Sequence, residues 1–396
     1  MKNICFISQC SLPIPTVSGG AVETLVEYII DENEKIGKYH FTVISIADEK
    51  AQELSKHYKY TDFIFINPAN KKLNRVRMFI YRLLKHLGIY IPFSEEFKNV
   101  YKELHKLKDR EDIFIFEAGP TTQIPAISRI ISKEKLIVHI HWDGMSNKRK
   151  DRCFSMLMPV SDYIGKCWKK GCDCNQDKIR TLHNCAKIER FAKNSTECER
   201  IELKEKLGIP KNNKVIIFTG RIVKAKGIKE LLQAFEEVIY KDVTLLIVGS
   251  ANFGSKTNTS YEVEVANLIK KSSKSIIFTG FIHQTELYKY YNIANVAVMP
   301  SMFEDPAPLV CIEAQATGIP LIANDVGGIR EYANQEGVIL VRKDKDLIKS
   351  LTIEIERLLS DSELCKKMGD VNRKHALQYN TERYFEEFSH IMDSFN

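Results

Sequence analysis

Short β-rich runs, each followed by a helical pattern, recur along this sequence and constrain its fold more than any other feature. The first run, Asn3 to Ser8 (NICFIS), ends in a loop, and a helical pattern (ETLVEYIIDENEKIG) and a second strand (HFTVISIA) follow. That β-loop-α-β order is the start of a doubly wound sheet. Further strands are predicted at DFIFI, DIFIFEAG and KLIVHIH.

A polar, charged stretch near residues 187–210 separates this pattern from a second one of the same kind. Beyond it, KVIIFTGRI, TLLIVGS, SIIFTGF, VAVMPS, PLIAND and GVILV each precede a helical pattern. We predict an α/β chain with two doubly wound, Rossmann-like domains, 1–186 and 187–375, and a C-terminal helix in 376–396 that crosses back to the first. Because open α/β sheets bind ligands at the carboxyl ends of their strands, a cleft between the domains is the expected site.

Composition and length limit the class of protein. With 396 residues, 44% hydrophobic and 28% charged, the chain suits two globular domains. The start lacks the apolar core of a signal peptide, and no segment approaches the ~20 apolar residues of a membrane span. We therefore expect a cytoplasmic protein with its ten cysteines reduced. Cys167, Cys172 and Cys174 lie near His183, but their spacing is poor for zinc, and no metal site is expected.

The stretch MFEDPAPLVCIEAQATG, Met302 to Gly318, has the marks of a helix that opens onto a ligand. Pro308 suits the first helical position, and Gly318 suits the C-terminal cap. The N–H groups of Leu309 and Val310 would then point out of the helix end unpaired, where they attract phosphate. Acids in the same stretch suit hydroxyl groups, so the ligand should carry phosphate at one end and hydroxyls at the other.

Two further loops after predicted strands offer groups for an anion. Arg221 and Lys226 follow the strand FTG. The guanidinium of an arginine can bind phosphate oxygens in a bidentate way and the ammonium of a lysine acts as a point charge, so the two together suit a diphosphate. The alternative is a pair of solvated surface cations. In the first domain, Gly19 and Gly20 would let backbone N–H groups approach an oxyanion, although such a pair also occurs in simple turns.

Together these elements resemble the retaining GT-B glycosyltransferases of family 4. The family pattern is GR-x4-KG, a strand ending in G, a late PS before an acid, E-x7-E-A, and a GG-x-x-E loop. The matching positions are Gly220-Arg221, Lys226-Gly227, Gly249, Pro300-Ser301, Asp305 with Glu313-Ala314, and Gly327-Gly328 with Glu331. The resemblance covers nearly the full chain and implies the GT-B fold, with two domains facing across a cleft.

The resemblance implies a nucleotide-sugar donor and a role for each group. The donor-binding positions are Gly19, Gly20, Gly220, Arg221, Lys226, Asp305, Leu309, Val310 and Glu313. The cations and the helix N–H groups would hold the diphosphate, Glu313 the ribose hydroxyls, and Asp305 hydroxyls of the transferred sugar. With Arg221 and Lys226 stabilising the leaving group, no metal and no cofactor are expected.

One position departs from the family pattern. The first Glu of E-x7-E falls on Asp305, which is one methylene shorter, so its reach to the sugar is in question. Glu304 is the alternative.

His139 and His141 end the strand KLIVHIH, and strand alternation places them on the same face. The family's histidine before an acid falls on His141, with Asp143 two residues further on. A structural histidine is the alternative to a catalytic one. The predicted catalytic residues are His141, Asp305, Arg221 and Lys226.

Residues 71–93, KKLNRVRMFIYRLLKHLGIYIPF, combine six Lys or Arg and no acid with an apolar stripe at helical spacing. The stripe comprises Val76, Phe79, Ile80, Leu83, Leu84 and Leu87. This pattern is typical of a helix on an anionic membrane surface. The alternative is a core-facing helix with a solvated basic back. Nucleic acid is not expected, since no aromatic platform accompanies the charges.

The sequence therefore predicts a cytoplasmic, peripheral-membrane, retaining glycosyltransferase. Its expected donor is a UDP-linked hexose or N-acetylhexosamine, and its acceptor a surface-glycan oligosaccharide or a lipid-linked one. A UDP-sugar epimerase of the same fold and a catalytically inactive partner subunit are the alternatives.

Overall fold

The structure is a computed structural model, and it describes residues 1–396 except 18, 88, 90, 118, 143, 145, 173–175, 252–258 and 396. Side chains of Lys71, Lys85 and Gln176 are also outside the description. The chain forms two compact units: Met1–Asn184 with Thr381–Asn396, and Cys185–Asn380. The sequence placed these boundaries at 186/187 and 375/376.

Each unit contains one six-stranded parallel sheet. The first sheet has the order β3-β2-β1-β4-β5-β6 and the second β12-β11-β10-β7-β8-β9. The strand order reverses between β1 and β4 in the first sheet and between β7 and β10 in the second. Doubly wound sheets bind ligands at such switch points. The strands are β1 (Lys2–Ile7), β2 (Tyr39–Ile46), β3 (Thr61–Ile66), β4 (Ile113–Glu117), β5 (Leu136–Ile140), β6 (Met156–Pro159), β7 (Lys214–Thr219), β8 (Val243–Val248), β9 (Ser275–Gly280), β10 (Val296–Met299), β11 (Leu321–Asn324) and β12 (Val338–Val341).

Helices connect the strands. They are α1 (Ala21–Ile36), α2 (Glu49–Ser55), α3 (Lys71–His86), α4 (Glu95–Leu107), α5 (Ile124–Ile127), α6 (Lys148–Asp151), α7 (Asp162–Lys170), α8 (Ile188–Phe191), α9 (Glu197–Leu207), α10 (Ile228–Glu237), α11 (Ser260–Lys271), α12 (Gln284–Asn292), α13 (Leu309–Thr317), α14 (Ile329–Tyr332), α15 (Leu347–Ser360), α16 (Ser362–Ala376) and α17 (Thr381–Ser394). Within the described residues, none of these helices has both the length and the apolar character needed to cross a bilayer.

The fold class predicted from the sequence is confirmed, with eleven of the twelve strands at the predicted runs. Strand β6 was missed. It is a four-residue strand, MLMP, whose fourth residue is a proline, and a run that short carries little periodicity. Its edge position explains why the proline is tolerated.

The last helix, α17, belongs to the first unit. It packs against α1, and its Phe388 is fully buried among aromatic rings of the first two strands. The ring centroid of Phe388 lies 6.0 Å from Phe6, 6.2 Å from Tyr39 and 6.3 Å from Phe41. The C-terminus therefore completes the core around the N-terminus.

Helix α3 has an unusual orientation, because two of its polar residues, Asn74 and Arg77, contact the protein while much of its apolar stripe does not. Asn74 donates to both carboxylate oxygens of Glu96 at 2.9 Å, and Arg77 donates to Glu95 at 2.6 Å. Much of the apolar stripe faces outward: Val76 is 59% exposed, Phe79 63% and Leu83 55%. The core-facing alternative for this helix is therefore wrong, although Leu84 is half-buried and Tyr81, between the stripe positions, is buried.

We predict that Phe388→Ala lowers the free energy of unfolding of the first unit by about 3–5 kcal/mol, since it removes a fully buried ring. Both tryptophans of the chain, Trp142 and Trp168, lie in this unit, so tryptophan fluorescence during urea unfolding reports on it selectively. Glu386→Ala, an exposed change on the same helix, is the matched control. Equal midpoints for the two variants would contradict the role given to α17.

Candidate functional site

In the second unit, the loops that follow β7 and β10 meet at the switch point of the sheet. Two glycines allow the backbones of neighbouring loops to touch. Gly227 has φ 71°, and a Cβ there would lie 1.8 Å from the carbonyl oxygen of Pro300. Gly327 has φ 60°, and its Cβ would lie 2.3 Å from the carbonyl oxygen of Asp305. Side chains at either position would separate the loops.

Lys226 and Asp305, predicted from separate motifs, form an ion pair across these loops. Lys226 Nζ lies 2.6 Å from Asp305 Oδ2, and the buried hydroxyl of Ser301 donates to the same oxygen at 3.3 Å. The side chain of Asp305 is 6% exposed and that of Lys226 19%. The cation expected at the diphosphate and the acid expected at the sugar are therefore direct neighbours.

Glu304, the alternative acid, faces a different group. One of its oxygens accepts a hydrogen bond from the backbone N–H of Gly327 at 2.7 Å, and the other lies 3.2 Å from Lys343 Nζ. Its side chain is 44% exposed. Of the two neighbouring acids, Asp305 is thus the one at the Lys226 side of the loop.

Helix α13 begins beside this pair. Pro308 is its N-cap with φ −75° and ψ 115°, so the expectation that it occupies the first helical position is wrong by one residue. An extended ψ at Pro308 shifts the start to Leu309, whereas Gly318 ends the helix in the left-handed conformation as predicted. The N–H groups of Leu309 and Val310 belong to the first turn, whose N–H groups have no partner within the helix.

A cavity of about 180 Å³ lies at the carboxyl ends of β7 and β8 and at the first turns of α13. Its walls are mostly apolar or backbone, and Glu313 is its acid. The lining residues are Thr219, Gly220, Arg221, Val248, Gly249, Ser250, Phe281, Ile282, Leu287, Val310 and Glu313. Four predicted donor-site residues, Gly220, Arg221, Val310 and Glu313, thus line one cavity.

The carboxyl of Glu313 is only 5% exposed. Burial raises its pKa to about 7, although a hydrogen bond with Gln284 and the positive charge of Arg190 favour the ionised form. Arg190 donates to Gln284 Oε1 at 3.3 Å, which leaves the amide NH₂ of Gln284 to face Glu313. The sequence reasoning missed both supporting residues, because they lie about 30 and 120 positions before Glu313, outside any motif.

Arg221 lies at the rim of this cavity with an exposed side chain. It forms no ion pair with any residue in the described part of the chain, so its guanidinium is available to an anion. The neighbouring Lys224 is also exposed but does not line the cavity.

In the first unit, Gly19 and Gly20 lie between β1 and α1, and Gly20 is the N-cap of α1. The side chain of Glu23 folds back over Gly20, since a Cβ there would lie 2.4 Å from Glu23 Oε2. Burial raises the pKa of Glu23 to about 7, and the negative charge of Glu117 adds to the rise. Among the described residues, Glu23 forms no ion pair with a cation.

His139 and His141 lie on the same face, as predicted, with ring centroids 4.1 Å apart. Both rings face Glu117, which ends the neighbouring strand β4 and is fully buried. Burial acts to raise the pKa of Glu117, but the two imidazoles outweigh it and hold this pKa well below the usual range. Burial and the adjacent His139 lower the pKa of His141 to about 4. His141 is therefore neutral at physiological pH, and its ring N–H can donate to an ionised Glu117.

The sequence analysis did not single out Glu117, although its position at the end of the strand DIFIFE was a usable signal. Asp143, the acid expected after His141, lies outside the described residues, as does Cys174 of the cysteine cluster. The nine described cysteines are free thiols.

The match to a known protein family lies within the second unit. Residues 199–375 match the family model described as glycosyl transferases group 1. Spore coat protein SA of Bacillus subtilis (strain 168) is 24% identical over 387 residues, covering 94% of each chain. The lipopolysaccharide 1,2-N-acetylglucosaminetransferase of Salmonella typhimurium is 24% identical over 277 residues, covering 69% of this chain and 70% of that protein.

A solved structure extends the likeness to the whole chain. The crystal structure of Anabaena HepE in complex with UDP-glucose superposes with a TM-score of 0.75, covering 100% of both chains at 16% identity. At that identity the likeness establishes the fold. Residues 199–375 therefore match the group 1 glycosyl transferases, and the chain as a whole has the GT-B fold.

Proposed function

We propose that the protein is a retaining glycosyltransferase that moves a hexosyl or N-acetylhexosaminyl group from a UDP-linked donor to a surface-glycan or lipid-linked acceptor. The observation that carries the proposal is the arrangement in the second unit. A cavity with one buried acid, an arginine at its rim that has no ion-pair partner among the described residues, and a Lys226–Asp305 pair all lie at one switch point. A nucleotide sugar carries a nucleoside, a diphosphate and a sugar in sequence, which match the cavity with its acid, the two cations and Asp305 in turn.

The proposed donor pose follows the chemistry of each group. The nucleoside occupies the cavity of about 180 Å³, with Glu313 accepting hydrogen bonds from the ribose hydroxyls. The diphosphate lies against Arg221, Lys226 and the first turn of α13, where charge-assisted and helix N–H contacts are strongest. Asp305, next to Lys226, contacts hydroxyls of the transferred sugar.

In this pose the groups around the diphosphate promote departure of UDP. Negative charge develops on the leaving diphosphate as the glycosidic bond breaks, and preorganised cations stabilise it more than they stabilise the bound donor. We propose front-face transfer, in which the departing diphosphate helps to deprotonate the acceptor hydroxyl. No metal is required at the diphosphate, and orientation of the sugar by His141 stays a prediction of the family resemblance.

The acceptor class rests on two supports. Relatives include the Salmonella enzyme named above and a capsular polysaccharide biosynthesis glycosyltransferase of Staphylococcus aureus, 32% identical over 188 residues. Helix α3 presents an exposed apolar stripe beside the exposed cations Lys72, Arg75 and Arg82. Large apolar patches of this kind mark interaction surfaces, and the charges suit an anionic bilayer. We propose that α3 holds the enzyme at the inner face of a membrane, near such an acceptor.

The alternatives, a UDP-sugar epimerase and an inactive partner subunit, are not favoured by these relatives. A screen of UDP-, GDP- and ADP-sugars for nucleotide release in the presence of acceptor tests the proposal directly. Release of UDP with a new glycoside supports it. A free epimerised nucleotide sugar, or nucleotide binding without turnover for every donor, would point to the alternatives.

Arg221→Ala is expected to lower turnover by about two decades or more and to weaken UDP binding, since a charge-assisted diphosphate contact is worth about 2–4 kcal/mol. Arg221 is a cleaner position than Lys226, because Lys226→Ala also leaves the buried Asp305 unpaired. Lys224→Ala, in the same loop, is the control and should behave like wild type. Wild-type UDP affinity in Arg221→Ala would remove the diphosphate from this loop.

Glu313 should make nucleoside binding depend on pH. The ionised carboxylate accepts two ribose hydrogen bonds, and its pKa in the free protein is about 7. Affinity for uridine, which has no titrating phosphate, should therefore rise as the pH increases from about 6 to about 8. Glu313→Gln should bind uridine more weakly and without this pH dependence. Calorimetric titration of both proteins across the range measures the effect, and parallel curves would exclude Glu313 from the ribose site.

Membrane binding is predicted to depend on the outward face of α3. Replacing Lys72, Arg75 and Arg82 by Gln should weaken cosedimentation with anionic vesicles by about two decades, at about 1 kcal/mol per cation. Arg77 is left in place, because it faces inward and pairs with Glu95.

A triple Lys→Gln change at Lys366, Lys367 and Lys374, all exposed on α16, removes the same charge and is the matched control. Phe79→Ser should weaken binding to anionic vesicles as well, since the exposed ring supplies apolar burial. If wild-type protein shows no preference for anionic over zwitterionic vesicles, α3 is not a membrane surface.

A further inference from the structure

We propose that Glu117 is a positioning residue, which fixes His141 in one tautomer and makes its Nδ1 atom a hydrogen-bond acceptor for a substrate hydroxyl. The inference rests on the proposed function, in which His141 orients the transferred sugar. The acid contacts the histidine directly, since Glu117 Oε2 lies 3.0 Å from His141 Nε2. Nε2 is thus engaged with the protein, whereas Nδ1 has no hydrogen-bond partner among the described residues.

The neighbours of His141 Nε2 require a proton on that atom. Without it, the lone pair of Nε2 would face Glu117 Oε2, and two electron-rich atoms 3.0 Å apart repel each other strongly where no water screens them. A neutral imidazole has one N–H and one lone pair, so a proton on Nε2 leaves the lone pair on Nδ1. This holds whichever nitrogen of His139 carries a proton. His139 Nδ1, 3.2 Å from His141 Nε2, can donate to Glu117 beside it or accept from it.

The backbone fixes the acid and the ring relative to each other. Glu117 is the last residue of β4 and pairs in register with His139 of β5, and His141 follows that strand. The side chains of Glu117 and His139 are 0% and 1% exposed, and that of His141 is 8% exposed. His141 is therefore the member of this cluster that a substrate can reach, and Glu117 acts through it. A ring held in this way keeps its orientation before the substrate arrives.

The protonation states of the acid and the ring suit this arrangement. Burial acts to raise the pKa of Glu117, but the two imidazoles keep it well below the usual range, so the carboxyl is ionised. The low pKa of His141, about 4, leaves its ring neutral near pH 7, because burial and His139 disfavour a charge there. An N–H that donates to a carboxylate forms a charge-assisted hydrogen bond, which is about twice as strong as one between neutral groups.

The first test is a double-mutant cycle with Glu117→Gln and His141→Ala, in which kcat and UDP affinity are measured. Glu117→Gln should lower kcat by about tenfold to a hundredfold and leave UDP affinity unchanged, since the nucleotide contacts belong to the second unit. In the His141→Ala background the same change should lower kcat little further, because Glu117 acts through the ring. Glu111→Gln, at an acid just before β4 that is only 4% exposed, is the matched control and should keep wild-type kcat. Equal losses from Glu117→Gln in both backgrounds would show a merely structural role and overturn the proposal.

The second test measures the tautomer itself and needs no turnover. Nitrogen-15 NMR of the full chain with labelled histidine separates protonated from unprotonated ring nitrogens, and the signals lost in His141→Ala are those of His141. We expect a protonated Nε2 and an unprotonated Nδ1 in the wild type. The other tautomer should appear in Glu117→Gln, whose amide can also turn an N–H towards Nε2. A protonated Nδ1 in the wild type, or an unchanged tautomer in the folded variant, would overturn the proposal.

The two tests separate this proposal from the proposed function. If no donor is turned over, the proposed function fails, and the tautomer of His141 still decides the role of Glu117. Circular dichroism checks that each variant is folded. If Glu117→Gln does not fold, the tautomer of the wild-type protein decides alone.

Discussion

The ion pair between Lys226 and Asp305 is the contact on which the candidate site of the second unit depends. It joins the loop after β7 to the loop after β10, and these are the two strands between which the sheet reverses its winding. Two opposite charges with little exposure stabilise each other only while their loops stay in register. The glycines beside them make that register possible, because they let the loop backbones touch. The pair thus ties the position of an anion-binding cation to the position of a hydroxyl-binding acid.

A second principle of this site is that its groups are held in states that are costly without a ligand. Glu313 is buried in a mostly apolar cavity, where the charged form of a carboxyl is disfavoured. Arg221 is exposed at the rim and has no ion-pair partner among the described residues. A nucleoside diphosphate suits both side chains, since it offers ribose hydroxyl donors to Glu313 and phosphate oxygens to Arg221. The fold thus preorganises these two groups for the ligand, which lowers the free-energy cost of binding.

The sequence predicted the architecture well because parallel strands buried on both faces read as short, continuous apolar runs. Candidate residues such as Arg221 and Asp305 could be named from the sequence for a different reason, because each lies in a short motif whose spacing is local. The sequence did not predict Gln284 or Glu117, which act on other site residues only through tertiary contact. For α3 the sequence favoured an outward-facing stripe but left the core-facing alternative open, because hydrophobic periodicity defines a face of a helix but not what that face contacts.

The position of α17 has a consequence for how the chain folds as it is made. The first unit is formed by two segments, Met1–Asn184 and Thr381–Asn396, with the second unit, Cys185–Asn380, inserted between them in the sequence. During synthesis, the second unit can therefore emerge and complete its own core before the last helix exists. Until α17 has been synthesised and has left the ribosome, the rings of Phe6, Tyr39 and Phe41 lack the aromatic cover that α17 supplies. The unit whose synthesis begins first is thus the last to complete its core. Its nascent form exposes an apolar surface of the kind that chaperones bind.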